Sequence, residues 1–406
     1  MPECDILVVG AGCFGLSTAL HLRRRNMGKV ILLDREPLPY SDAASQDSSR
    51  IIRADYPDPF HAKLGLEAIE QWRHDSTFSP AYHQSGFLVA DMPGGTFVRK
   101  SLQTQKQLGH QNVRMMDFSN IKSKWPGLSG SLDNGWDLYY NPEAGWANAR
   151  QAMLSALSEF RARGGEFISG PPGALETLLF KDTESVPKVV GVRTVDGTSY
   201  HAPKVVLATG AHVIKHVKAG SMVASIGWCV AHWRLTPDQQ AVWANHPVVN
   251  LHNHGYFFPP DSTGLMKMGW GIISYTNAAG PWLSVGIPTE AEHGIRHILR
   301  MVAPSLEHKE FFDMKICWDG MVGDRHFLIS RVPSYDGLVV ACGGSGHGFK
   351  FLPIIGRYVA DLIESKLDSE YEQRWAWREQ HIEALTGAMK GRLVKELADV
   401  VLGARL

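Results

Sequence analysis

The stretch "CDILVVGAGCFGLSTALHLRRRNMGKVILLD", Cys4 to Asp34, decides the fold. Four apolar residues, Ile6 to Val9, run into Gly10, Gly12 and Gly15 with the spacing G-x-G-x-x-G. Leu16, Ala19, Leu20 and Arg23 then keep a helical rhythm, and Lys29 to Leu33 reads as a second buried strand ending on Asp34. Each glycine answers a steric need. Gly10 permits the tight turn, Gly12 lets backbone approach a pyrophosphate, and Gly15 allows the helix to pack closely on the strand. Cys13 and Phe14 fall inside the loop, and Arg35 follows the acid. Strand, glycines, helix, strand and acid in this register describe a dinucleotide site. Asp34 suits a ribose hydroxyl pair and would repel a 2′-phosphate, which disfavours NADP and leaves NAD or FAD.

The next segments separate those two. "VVGVRTVDGTSYHAP", Val189 to Pro203, reads as a hairpin turning at Asp196-Gly197. "KVVLATGAH", Lys204 to His212, is an apolar strand ending in Thr209 and Gly210. A helix over about 148–163, the short strand of "GEFISG", this hairpin and this strand follow the order of large FAD-binding folds. A nicotinamide dehydrogenase would continue directly into parallel strands, whereas residues 35–60 here are polar and irregular.

Composition narrows the function classes. A chain of 406 residues exceeds a typical single core, so two domains are expected. Lys+Arg and Asp+Glu both number 41, which gives no net field to attract nucleic acid or an anionic membrane. No run of about twenty apolar residues predicts a membrane helix, and the first apolar run reads as a strand rather than a secretory leader. The five cysteines, Cys4, Cys13, Cys229, Cys317 and Cys342, show neither zinc-type pairing nor a dense disulfide pattern. No metal is expected.

Four further stretches carry candidate chemistry. In "SQDSSRIIRADY", Ser45, Ser48 and Ser49 offer hydroxyls to a phosphate, and Arg50 and Arg53 would share one side if the segment were helical. "STGLMKMGW" sets Lys267 among apolar neighbours, where a cation is costly without a partner. "KICWDGMVGDRHFLIS" holds Cys317 seven residues before Asp324. "GGSGHGFKFLPIIG" places Gly343, Gly344, Gly346 and Gly348 around His347 and Lys350, before a helical pattern starting near Pro353. With the N-terminal fingerprint, these stretches resemble the monomeric sarcosine oxidase family of flavin amine oxidases. That family includes N-methyl-amino-acid, pipecolate and saccharopine oxidases and the fructosyl amino acid oxidases (amadoriases). The resemblance spans about residues 4–370 and is weakest over 90–140 and 225–255.

The resemblance implies FAD as the cofactor, attached through a thioether from Cys317 to the flavin 8α carbon. It implies that Lys267 lies over the flavin near N5, where a fixed positive charge stabilises superoxide as oxygen is reduced. Arg53 and Lys350 match the two cations that clamp a substrate carboxylate and so hold the reacting carbon in place. His347 would stand near the substrate or the flavin's edge, where it could help remove the ammonium proton, and Tyr256 matches an active-site aromatic. Gly344, Gly346 and Gly348 would let backbone lie against the flavin ring. The implied reaction takes hydride from a secondary amine bearing a carboxylate, and oxygen then returns as hydrogen peroxide while the imine is released. The departures lie at Gly271, where sarcosine oxidases carry histidine, at Trp318 and Asp319 after the cysteine, and at Gly323 in place of a proline. They put sarcosine itself in doubt and lean toward the amadoriase and saccharopine oxidase branch. A flavin monooxygenase or dehydrogenase, or a non-catalytic FAD-binding protein, remain the alternatives.

The expected architecture is α/β (α+β overall): a Rossmann-like FAD domain from 1–85, 143–222 and 317–406, interleaved with a sheet-rich substrate domain from 86–142 and 223–316. The helix after Pro353 is expected to aim its N-terminus at the glycine loop. A monomer is favoured, although the sequence carries no reading of oligomeric state. The terminal Ala404-Arg405-Leu406 resembles a Ser-Lys-Leu peroxisomal address, with the cytoplasm as the alternative.

Overall fold

A computed structural model of the protein describes residues 3–40, 43–131, 135–183, 185–219, 222–277, 286–378 and 393–402. The fingerprint folds as its pattern predicts, with strand Ile6–Val9, helix Cys13–Arg24 and strand Val30–Asp34. Gly10 takes a φ of +101°, and a Cβ there would stand 2.5 Å from the Ala208 carbonyl oxygen. A Cβ on Gly15 would come 1.8 Å from the Gly10 carbonyl oxygen, so the helix can approach the strand only because the side chain is absent.

Six strands form the sheet beneath the fingerprint, in the order 328–331, 338–342, 204–207, 6–9, 30–34 and 166–169. All neighbours run parallel except the first pair. Both faces are covered, which explains why these strands read as continuous apolar runs. Ile6 and Val8 face a core built with the helices, while Leu7 and Val9 face a core shared with the hairpin. The hairpin forms with Asp196-Gly197 at its turn, Gly197 having a φ of +86°, and joins a third strand, Leu175–Lys181.

A ten-stranded, mainly antiparallel sheet builds the second layer around its own core. Its long strands Val223–Arg234 and Phe312–Val322 pair antiparallel, with Trp228 opposite Cys317 and His232 opposite Phe312. His232 also stands directly across from Lys267 on the other side. The expected boundary at residue 317 therefore falls inside a strand. The ladder along Val223–Arg234 continues past it to Val322, so Cys317 belongs to the second sheet. Leu393–Glu396 likewise adds to this sheet beside Ile273–Thr276.

Arg50–Ile52 is a strand paired with Gly145–Ala147, so Arg50 and Arg53 do not share a helical side, and Arg53 follows the last residue of the strand. The helix after Pro353 spans Ile355–Ile363. Its start is packed on the fingerprint helix, where Gly356 N–H donates to Ser17 Oγ at 2.9 Å and a Cβ would lie 2.0 Å from the Ser17 carbonyl oxygen.

Candidate active site

One elongated cavity of about 930 Å³ runs between the two layers. Part of its wall is the fingerprint: Gly10, Gly12, Cys13, Phe14, Asp34, Arg35, Ser45 and Thr209. Asp34 Oδ2 accepts the Ala11 amide at 2.5 Å, shaping the loop. Burial raises the Asp34 carboxyl above its ordinary value, against the pull of the Ala11 and Glu36 amides. Ser45 Oγ accepts the Cys13 amide at 2.8 Å. Gly15, Ser48 and Ser49 do not line the cavity. Gly15 serves helix packing, Ser48 hydrogen-bonds Asp47, and the Ser49 carbonyl accepts from Lys267 and Arg50.

The second glycine stretch is bound to the first. Cys13 Sγ approaches the Gly348 and Phe349 carbonyl oxygens at 3.7 and 3.9 Å, and Ser17 Oγ donates to the Leu352 carbonyl at 2.6 Å. On its other side the loop is pinned to the cysteine strand, since Ser345 N–H donates to Gly320 O at 3.0 Å and Gly346 N–H donates to Asp319. Burial pushes the Asp319 carboxyl up to about 6, and the Gly346 and Gly320 amides restrain the rise. Gly343 and Gly346 take φ of +79° and +75°, conformations that suit glycine. The first residues of the following helix, 354–356, do not line the cavity.

The same cavity is lined by Arg50, Tyr256, Lys267, Cys317, Gly344, Gly346, Gly348, Arg53, His347 and Lys350, with Gly348 lying against Cys13. Cys317 is the single half-buried cysteine of the five, the others being buried. Burial raises its thiol, and Arg50, whose Nη2 lies 3.8 Å from Sγ, and Lys267 draw it back down. Lys267 is 1% exposed, and burial together with Arg50 lowers its ammonium to about 8 against the support of Asp47.

Asp47 is a residue the sequence analysis did not single out. Its Oδ2 lies 2.5 Å from Lys267 Nζ and 2.7 Å from Arg50 Nη1, and its Oδ1 lies 3.0 Å from His232 Nε2. Burial opposes its charge, but Lys267, Arg50 and His232 outweigh burial and hold the carboxyl well below the carboxylate range. The only available signal was an acid three residues before Arg50. That pattern becomes meaningful once the Lys267 strand lies beside it.

Arg53 and Lys350 converge on Tyr56. The Arg53 guanidinium sits 4.4 Å from the ring centroid and Lys350 Nζ 5.5 Å from it. Arg53 donates to the Asp55 carbonyl and Lys350 Nζ to the His347 carbonyl at 2.7 Å, so both cations are held by backbone oxygens. Burial, then Arg53 and Arg325, press Lys350 well below its ordinary value. A third cation, Arg325, lines the same cavity with φ +63° and has no ion pair among the described residues. Sequence analysis passed over Arg325 and Tyr56 because nothing local marks them.

His347 is held at both nitrogens, Nε2 at 2.9 Å from the Arg325 carbonyl oxygen and Nδ1 at 3.0 Å from Tyr56 Oη. A carbonyl only accepts, so Nε2 carries a hydrogen. Burial, Lys350, His61 and Arg325 all disfavour the cation, so Nδ1 accepts from the Tyr56 hydroxyl. The lone pair expected to take the substrate's proton is thus already engaged by Tyr56.

The donor set fits FAD. Buried polar atoms along the wall, the Gln46 side-chain amide, Thr209 Oγ1 and Trp318 Nε1, have no protein partner, and unpartnered buried groups are costly unless a ligand satisfies them. The nucleotide-type loop forms one part of this lining, and Cys317, Lys267 and the two cations Arg53 and Lys350 form another.

Comparison with known proteins agrees with this geometry. The family model described as FAD dependent oxidoreductase matches residues 5–362. The chain is 32% identical to L-saccharopine oxidase of Schizosaccharomyces pombe, with 97% of each chain covered. It is 24% identical to monomeric sarcosine oxidase of a Bacillus species, covering 88% of this chain and 92% of that one. The structure superposes on the fructosamine oxidase Amadoriase II of Aspergillus fumigatus with a TM-score of 0.89 and 30% identity, covering 100% and 98% of the two chains. The chain belongs to the FAD dependent oxidoreductase family.

Proposed function

We propose that the protein oxidises secondary amines bearing a carboxylate, with FAD as the cofactor and oxygen as the electron acceptor. The observation that carries this reading is the convergence of Arg53 and Lys350 on the cavity that Lys267 and Cys317 also line. Saccharopine and sarcosine, the compounds in two of the relatives' names, are both secondary amines bearing a carboxylate. When bound, FAD accepts a hydride from the carbon next to the amine nitrogen and passes two electrons to oxygen.

The chain's own groups set up that chemistry. Gly10 to Phe14, Asp34, Arg35 and Ser45 hold the nucleotide end, and Gly344 to Gly348 provide a flat backbone surface at the other. Arg53 and Lys350 fix the substrate carboxylate, a pair of charges that restores the Lys350 cation against burial. The Tyr56 hydroxyl, backed by His347 Nδ1 on the same cavity wall, takes the proton of the amine. Lys267 supplies positive charge where oxygen is reduced. Cys317 forms a thioether to the flavin, a reading supported by its partial exposure beside Arg50 and Lys267. Ala404-Arg405-Leu406, which lie outside the described residues, serve as a peroxisomal address.

A peroxide-coupled screen of sarcosine, other N-methyl amino acids, pipecolate, saccharopine and fructosyl amino acids tests the reading. Peroxide with at least one is expected; a yellow protein that forms none with any of them overturns it. Acid precipitation followed by mass spectrometry should leave flavin on the Cys317 peptide, and flavin wholly in the supernatant removes the thioether.

A further inference from the structure

The contacts of Asp47 continue beyond the active site. Across the His232 ring from Asp47, Nδ1 lies 3.1 Å from the Asp313 carbonyl oxygen and 3.5 Å from Asp313 Oδ2. The side chains of Lys267, Asp47 and His232 are 1%, 1% and 3% exposed, whereas that of Asp313 is 53% exposed. A continuous series of polar contacts therefore leads from a buried ammonium to solvent. Strand register builds it: His232 stands across from Lys267 on one side and from Phe312, the neighbour of Asp313, on the other.

We propose that Asp313, His232 and Asp47 form a proton relay that recharges Lys267 from solvent while oxygen is reduced. The proposal rests on the oxidase reading above. Anionic two-electron-reduced flavin, oxygen and one proton give oxidised flavin and hydrogen peroxide. The flavin supplies both electrons and one proton, so the second proton must come from the protein. A Lys267 N–H bond breaks and an O–H bond of the peroxide forms. Asp47 then takes a proton at Oδ1 from His232 Nε2 and, after a half-turn of its carboxyl group, delivers it to Nζ. Nδ1, which faces the Asp313 carbonyl, keeps its hydrogen; a half-turn of the ring then presents that N–H to Asp47 and the bare nitrogen to Asp313, where it takes a proton from water by way of the Asp313 carboxyl group.

Charge neutralisation alone does not account for the arrangement. Asp47 pairs with both Lys267 and Arg50, and any hydrogen-bond donor could support its Oδ1 without reaching the surface. The electrostatics also favour timed transfer. While Lys267 is charged, its field is the largest of those holding Asp47 below its ordinary range, ahead of Arg50 and His232. Once Lys267 has given up its proton that field is gone, and Asp47 becomes a better acceptor when one is needed. Arg50 and Cys317 are the other charged or ionisable groups at the inner end, and Lys315 Nζ lies 3.2 Å from Asp313 Oδ2 at the outer end.

The experiment uses FAD-loaded enzyme, reduced anaerobically with substrate and then mixed with oxygen in a stopped-flow instrument. In His232→Gln, which can hydrogen-bond Asp47 but cannot carry a proton through, reoxidation should slow about tenfold or more while anaerobic reduction slows less than about twofold. Asp313→Asn, at the exposed end, should slow reoxidation in the same direction. Both variants should show a larger solvent deuterium isotope effect on that step. A second readout is the pH titration of the oxidised flavin absorption spectrum, which senses Lys267 charge and should stay where it is in wild type. Unchanged reoxidation in both variants overturns the relay. So does slowing matched by an equal displacement of the spectral titration, which would make His232 a structural support for Lys267 charge. Wild-type reduced enzyme that fails to react with oxygen overturns the oxidase reading, and the relay falls with it.

Discussion

Replacing Asp47 with asparagine keeps the side chain's size but leaves Lys267 and Arg50 without the carboxylate 2.5 and 2.7 Å away. Breaking a buried ion pair from one side is costly, because the remaining charge stays desolvated. Lys267 can escape part of that cost by losing its proton, which makes the loss depend on pH. The folded ammonium sits at about 8 and its ordinary value is 10.5. Between those values the unfolded chain binds more protons than the folded one, so stability rises with pH across that window. Below it the penalty is complete, at about 1.36 × 2.5, or about 3.4 kcal/mol. Removing Asp47 lowers the folded value further and extends the window downward. At pH 6.5 the added penalty through Lys267 has a ceiling of about 1.36 × 1.5, or about 2 kcal/mol, and by pH 9 it vanishes. For a chain of 406 residues that is about 2 °C in Tm. Thermal unfolding of wild type and Asp47→Asn at pH 6.5 and pH 9, at one scan rate, measures it. The gap between the two proteins should be wider at pH 6.5 by about that amount, and Lys267→Met should abolish the difference. An equal gap at both pH values would refute the coupling.

Lys350→Met and Arg53→Met should each raise KM for a carboxylate-bearing amine by about tenfold or more, since charged hydrogen bonds are worth about 1.5–3 kcal/mol; steady-state kinetics with an unchanged KM would remove the clamp. Arg325 lines the same cavity without an ion pair among the described residues. Arg325→Gln should therefore lower kcat/KM for substrates with a second carboxylate more than for those with one, and equal losses would leave it no part in selecting substrates.

The sequence alone determined the features that depend on near neighbours in the chain. The fingerprint from Cys4 to Asp34 reads as strand, loop, helix and strand because glycine spacing and apolar periodicity are local signals, and the Asp196-Gly197 turn is legible for the same reason. Arg53, Lys267, Cys317, His347 and Lys350 could be nominated by resemblance, and the fold gathers them on one cavity. What decided the rest was pairing between distant segments. Arg50–Ile52 became a strand because Gly145–Ala147 offered a partner, which its local pattern left open. Cys317 moved into the second sheet because one unbroken ladder runs to Val322. His347 lost its free lone pair to Tyr56, 291 residues away. Asp47 and His232, 185 residues apart, acquired meaning only when strand register set both beside Lys267. A buried charge is defined by what surrounds it, and in this chain its surroundings come from segments that no local pattern connects.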